Sequence, residues 1–175
     1  MPRANLRVLS TPPISILVTL MKILHALSLS VALLIAAWVY LSVGVPTLHF
    51  NPWIGFVAWA AFFAAGGGAQ AVRKAGLAGL AGIALTFATL LGVQYAGGGL
   101  LPLIALVSIL GFVLVAMADV PAFAYTPAAF LGAASFFGST SPLDATALFV
   151  AATWAAGVAF GYASELIGKS MARPA

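Results

Sequence analysis

This chain of 175 residues has few side chains that could perform acid-base or metal chemistry, and it contains no cysteine. Its two histidines and three acidic residues all lie near predicted helix ends: His25, His49, Asp119, Asp144 and Glu165. Their spacing does not group them as metal ligands. No serine has an evident histidine and carboxylate partner for nucleophilic catalysis. We therefore expect no enzymatic activity, no metal site and no cofactor.

Aromatic and hydroxyl side chains are better candidates for a binding path. The pairs Phe62-Phe63 and Phe136-Phe137 recur in two short apolar segments. Adjacent residues point about 100° apart on a helix, so at most one of each pair can line an interior. Packing against small residues, with tryptophan at the membrane interface, is the alternative reading. The candidate path comprises Trp59, Phe62, Phe63, Phe130, Ser135, Phe136, Phe137, Asn51, Thr126 and Thr140.

The composition places these residues in a membrane protein. Hydrophobic residues make up 63% of the chain and charged residues 6%, whereas soluble domains carry about 25% charged residues. Continuous apolar runs favour helices, which satisfy their own backbone hydrogen bonds in lipid, over a barrel with alternating polarity. The net charge of +4 is not clustered, so the expected partner is the lipid bilayer and not nucleic acid.

Six apolar segments predict an all-α integral membrane protein with six transmembrane helices. A span needs roughly 20 apolar residues, and the second and fifth segments are shorter than that. The predicted segments cover about residues 23–45, 52–67, 76–94, 101–118, 123–138 and 145–167.

The basic residues predict the orientation. If all six segments cross the membrane, every lysine and arginine falls on the same side as the N-terminus. Cytoplasmic loops carry the excess of Lys and Arg, so we expect both termini to be cytoplasmic. The residues concerned are Arg3, Arg7, Lys22, Arg73, Lys74, Lys169 and Arg173.

An internal repeat relates the two halves of the chain. At an offset of 75, Pro46 pairs with Pro121 and Pro52 with Pro127; at an offset of 74, Phe62-Phe63 pairs with Phe136-Phe137. A unit of three spans ends on the side opposite its start, so the second copy must be inverted. We expect an N-terminal extension (1–22) that is poorly ordered or interfacial, a first repeat (23–98), a second repeat (99–168) and a cytoplasmic tail (169–175).

Two aromatic and small-residue elements resemble a known family. The W-x-G-F element contains Trp53, Gly55 and Phe56, and the P-x-x-F-x-G element begins at Pro127. With the glycine-rich segment between them, they resemble the bacterial inner-membrane family catalogued as domain of unknown function 1097, over about residues 21–167. The resemblance implies a multi-span protein of the bacterial inner membrane and supplies no catalytic residues.

Inverted repeats with paired short helices are typical of transporters, whose sites lie near the midplane. We therefore expect a channel or facilitator for a small uncharged or weakly polar solute, with the two short aromatic helices lining its path. The alternative is a non-transporting subunit or scaffold that binds partner helices through Gly and Ala faces. In either case, the many small residues predict a homo-oligomer.

Overall fold

The computed structural model of the protein describes residues 14–140 and 142–172. The described chain is entirely helical. Its six α-helices are α1 (Ile14–Val39), α2 (Pro52–Ala64), α3 (Gly68–Tyr95), α4 (Leu100–Ala116), α5 (Thr126–Ser139) and α6 (Leu148–Met171). A π-helical turn extends α1, and single 3₁₀ turns lie before α2, after α4 and before α6: Tyr40–Gly44, Pro46–Leu48, Met117–Asp119 and Ala145–Ala147.

Four of the helical segments in the described chain are long and apolar enough to cross a membrane: Lys22–Gly44, Gly68–Tyr95, Leu100–Asp119 and Ala145–Met171. Helices α2 and α5 have only 13 and 14 residues. At 1.5 Å per residue such helices are about 20 Å long, less than the bilayer core of about 30 Å. The predicted all-α class and the shortness of the second and fifth helices are confirmed.

Proline and glycine set the limits of the short helices. Pro52 opens α2 and Pro127 stands at the start of α5, where the missing N–H and fixed φ of proline suit the first helical turn. After α2, three successive glycines at 66–68 adopt positive φ angles of 69° to 100°. Residues with a side chain rarely adopt positive φ angles, so the tight turn between α2 and α3 requires glycine at these positions.

Several predicted boundaries differ from the structure, three of them at helix starts that bear on the loops. Helix α3 begins at Gly68, not near residue 76, because the glycine turn is short; Arg73 and Lys74 therefore lie within a helix and not in a loop. Helix α1 begins at Ile14, ahead of the predicted start at 23. Helix α5 begins at Thr126 and not at 123. Residues 1–13 and 173–175 of the predicted terminal segments lie outside the described residues.

Backbone-to-backbone contacts at small residues hold the bundle together. Helix α3 packs mainly on α5, and α2 packs mainly on α6. A Cβ placed on Gly82 would lie 2.0 Å from the carbonyl oxygen of Ala129, and one on Gly157 would lie 2.4 Å from that of Gly55. Lipid tails are as apolar as helix surfaces, so helices associate through close packing of this kind.

Two buried tryptophans pack directly on glycines of neighbouring helices. The Trp38 ring lies on Gly55, and the Trp154 ring lies on Gly79. Each indole N–H donates to a backbone carbonyl, from Trp38 to Pro52 at 3.0 Å and from Trp154 to Ala75 at 3.1 Å. Both rings fill interior volume without leaving an unsatisfied donor, which would be costly away from water.

Contacts at the helix ends define how the short helices run. At the start of α2, the Asn51 N–H donates to Thr153 Oγ1 of α6, and just after α2 the Gly68 N–H donates to Glu165 Oε2. Helices α2 and α6 therefore run in the same direction. Trp53, at the start of α2, packs against Gly138, at the end of α5. The start of one short helix thus lies beside the end of the other.

Two glycines of α3 provide a matched test of the close packing. Gly82→Ala should lower stability by about 1–3 kcal/mol, because the added methyl group overpacks a backbone contact. Gly76→Ala should not lower it, because a Cβ at Gly76 meets no atom within 4 Å. Thermal unfolding in detergent, followed by tryptophan fluorescence, would measure both. Equal unfolding midpoints for the two variants would contradict the role assigned to Gly82.

Candidate functional site

The ten candidate path residues fall into three groups in the structure. Four are buried, namely Trp59, Phe62, Ser135 and Phe136. Asn51 and Thr126 are half-buried. The remaining four are exposed: Phe63, Phe130, Phe137 and Thr140. The structure therefore brings part of the set into the interior of the bundle and leaves the rest on its surface.

Each aromatic pair divides between interior and surface. Phe62 is fully buried and Phe136 is 2% exposed, whereas Phe63 and Phe137 are 36% and 40% exposed. Inside, Phe62 meets the Tyr162 ring at a centroid distance of 6.2 Å, and Phe136 meets the Phe87 ring edge-on at 5.8 Å. Each short helix thus inserts one aromatic ring against a long helix.

Trp59 belongs to a buried hydrogen-bond chain between helices. Its indole N–H donates to the Ser164 hydroxyl at 3.1 Å, and that hydroxyl donates to the Gly161 carbonyl at 2.7 Å. From α1, the Ser30 hydroxyl donates to the Ser164 carbonyl at 2.6 Å. Ser164 therefore links α1, α2 and α6. In this conformation Trp59 is a buried core residue that hydrogen-bonds to α6.

Two candidate residues carry buried polar atoms without a partner among the described residues: Ser135 Oγ and Asn51 Oδ1. Other helical hydroxyls, such as those of Thr86 and Thr153, donate to a carbonyl one turn back at 2.6–2.8 Å. A buried unsatisfied polar group costs about 1–3 kcal/mol. Such atoms in a folded interior need an explanation, and a bound water or solute is one.

A cavity of about 220 Å³, the Asn51 cavity, lies where α2 and α6 begin and α5 ends. It includes two candidate path residues, Asn51 and Thr140, and the imidazole of His49 lies 4.6 Å from the Phe149 ring beside it. The full lining is His49, Asn51, Ser139, Thr140, Pro142, Thr146, Phe149 and Val150. Its hydroxyl, amide and imidazole groups could hydrogen-bond a small polar molecule.

A second cavity of about 240 Å³, the Glu165 cavity, lies at the opposite ends of α2 and α6. Its lining includes Phe63, Gly67 and Glu165. The Glu165 carboxylate accepts a hydrogen bond from Gly68 and forms an ion pair with Lys169. The buried residues Trp59 and Phe62 lie on α2, whose start adjoins the Asn51 cavity and whose end adjoins this one.

The remaining ionisable candidates lie on the surface of the described chain. His25, His49, Asp119 and Asp144 are exposed, and the described residues contain no cluster of three or more His, Asp or Glu that could hold a metal. Asp144 accepts a hydrogen bond from the Thr146 N–H at 2.8 Å and so caps the 3₁₀ turn before α6.

Sequence reasoning missed three interior residues: Trp38, Trp154 and Ser164. A large buried ring needs a small residue opposite it, so the glycine that each ring covers was the one sequence feature that could have indicated the burial of both tryptophans. Nothing in the sequence pairs Trp38 with Gly55 or Trp154 with Gly79 before the helices are packed. Ser164 looks like any other small residue of α6 until its neighbours on α1 and α2 are known.

Comparison with protein families agrees with the resemblance seen in the sequence. A family model described as "Protein of unknown function (DUF1097)" matches residues 28–169. The match covers most of the chain, so the chain belongs to this family. No curated protein and no solved structure matches it.

The hydrogen bond between Trp59 and Ser164 gives a test of the core. Ser164→Ala should destabilise the protein by about 1–3 kcal/mol, because it leaves the indole N–H buried and unpaired. Ser170→Ala, an exposed position on the same helix, should be close to neutral. Trp59→Phe should then cost less in the Ser164→Ala background than in the wild type. Independent, additive effects in thermal unfolding would contradict the bond.

Proposed function

We propose that this member of a family of unknown function is a channel or facilitator for a small uncharged or weakly polar solute. The observation that carries the proposal is the packing together of two helices too short to span, α2 and α5. Buried polar atoms without partners among the described residues lie on Asn51, just before α2, and on Ser135 of α5. Short helices at membrane depth are tolerated where protein or a water-filled cavity surrounds their ends.

An inverted repeat is part of the proposal, and contacts in the two halves support it. The Phe62–Tyr162 contact in one half has a counterpart in Phe136–Phe87. These residues correspond at the offsets of 74 and 75 found in the sequence. The contacts of Gly157 with Gly55 and of Gly82 with Ala129 correspond in the same way. Sites in transporters of this type lie between the repeats, near the midplane.

The proposed path runs between the Asn51 cavity and the Glu165 cavity, along the interior side of α2 and α5. In this conformation the buried rings of Phe62 and Phe136 close the interior. Conduction requires these rings to move, or a neighbouring helix to shift and uncover them. Hydrophobic constrictions of this kind gate channels by excluding water.

The charge distribution supports an uncharged solute. The ten candidate path residues include hydroxyl and amide groups but no acid or base. The ionisable side chains of His49, Glu165 and Lys169 line only the two cavities at the ends of the path. A charged solute crossing the bilayer centre would need compensating charge, because an isolated charge there is costly. We therefore propose passive transport without ion coupling.

The scaffold alternative has less support from the packing. It relied on glycine faces that bind partner helices, yet Gly79, Gly82, Gly132 and Gly157 all pack against neighbours within the chain. Gly76 and Gly111 have free space around them. Self-association into a homo-oligomer, which we also propose, would use these outer faces.

The proposed orientation in the bacterial inner membrane follows the positive residues and can be tested directly, since the chain has no cysteine. Arg73→Cys should react with a membrane-impermeant maleimide in inside-out vesicles only. Thr146→Cys should react in intact spheroplasts only. Both residues are exposed. Labelling of both positions from one side would contradict six crossings, and labelling of residue 73 from outside would reverse the orientation.

The aromatic pairs give matched variants for a transport assay. Phe62→Leu and Phe136→Leu should speed solute entry, because a smaller side chain opens the closed interior. Phe63→Leu and Phe137→Leu, at exposed neighbouring positions, should leave it unchanged. Stopped-flow swelling of proteoliposomes with glycerol, urea and water would measure the rates. If wild type and all four variants match protein-free vesicles, the protein is not a facilitator for these solutes.

A further inference from the structure

A larger cavity, which we call the Asp144 chamber, shares no lining residue with the two path cavities. Its volume is about 510 Å³, within the range of about 300–1,000 Å³ that is typical of small-molecule sites. It lies between α3, the end of α5 and the start of α6, and its walls are almost wholly apolar. Residues that define it include Ile83, Ala84, Phe87, Phe136, Asp144 and Ala151.

Two aromatic rings form one wall of the chamber. Phe87 and Phe136 meet nearly perpendicular, with an interplanar angle of 88°. The face of an aromatic ring carries negative electrostatic potential and attracts cations, most strongly where water is excluded. The wall therefore suits an apolar molecule and tolerates a positive charge near it.

A single carboxylate stands at the rim. Asp144 is exposed, and the hydroxyl and N–H of Thr146 hold the pKa of its carboxyl below the ordinary value, so that it is ionised at neutral pH. Within the described part of the chain no lysine, arginine or histidine pairs with it. Arg73 and Lys74 lie in the first turns of α3, whereas Asp144 lies beside the last turns, near Leu90 and Gln94.

An apolar chamber with an unpaired carboxylate at its mouth is complementary to one kind of molecule. We propose that the Asp144 chamber binds a small hydrophobic amine, with its ammonium group at Asp144 and its apolar body against Phe87 and Phe136. This site shares Phe136 with the proposed path, but binding of the amine does not depend on whether the protein conducts a solute. The tail of a phospholipid would fit the same apolar chamber but would not interact with the carboxylate.

The probes are 2-phenylethylamine, which is cationic at neutral pH, and 2-phenylethanol, its neutral analogue. Binding to the detergent-solubilised full chain is measured by calorimetry, with protein-free micelles as the blank. The wild type should bind the amine about five-fold more tightly than the alcohol, as expected for one exposed ion pair aided by aromatic contact. In Asp144→Asn that preference should disappear. Asparagine keeps the acceptor that caps the turn, so the fold is preserved.

Two further variants complete the test. Asp119→Asn removes the other exposed aspartate, which is the last residue of the 3₁₀ turn after α4, and should keep the preference for the amine. Ala84→Phe places a ring in the chamber from an exposed position and should weaken both probes. Equal affinity of the wild type for amine and alcohol would indicate an apolar groove for lipid and overturn the proposal. So would an Asp144→Asn variant with unchanged preference, or equal losses in both aspartate variants.

Discussion

The close approach of helix backbones at glycine is the constraint on which the rest of this structure depends. In lipid no hydrophobic force drives helices together, so attraction must come from dispersion at short range. At Gly82 and Gly157 no space remains even for a methyl group. These contacts fix α5 against α3 and α2 against α6, and they thereby hold in the interior two helices that are too short to be stable across lipid alone.

Once the short helices are held inside, their ends become the critical polar groups. A helix terminus leaves backbone N–H groups without partners, and water does not reach the middle of a bilayer. Here Thr153 accepts from Asn51 ahead of α2, and Glu165 accepts from Gly68 at the start of α3. Both acceptors lie on α6. The helix that packs along α2 thus also supplies one hydrogen-bond acceptor just before α2 and another just after it, at the start of α3.

Much of this fold could be predicted because the composition, and the residues that begin and end helices, are local features of the sequence. The continuous apolar runs indicated helices, and Pro52 and Pro127 marked where the short ones begin. The predicted start of α3 was too late, because Arg73 and Lys74 look like loop residues. The first turns of a long helix nevertheless extend readily beyond the lipid. The burial of Phe62 rather than Phe63 could not be predicted, because helix phase relative to neighbours is decided by packing. The same limit hid Trp38, Trp154 and Ser164.

The proposed repeat also explains why one tryptophan could not have been anticipated from self-similarity. Gly79 and Trp154 correspond at the offset of 75, and they contact each other. In the proposed repeat, two equivalent positions that touch would lie next to the axis that relates the halves. Two tryptophans there would collide, and two glycines would leave a void whose lining atoms lose dispersion contacts. A glycine facing a tryptophan fills the space. At this pair of positions the two halves therefore differ although the proposed repeat makes the positions equivalent, and self-similarity in the sequence could not show that one of them holds a large ring.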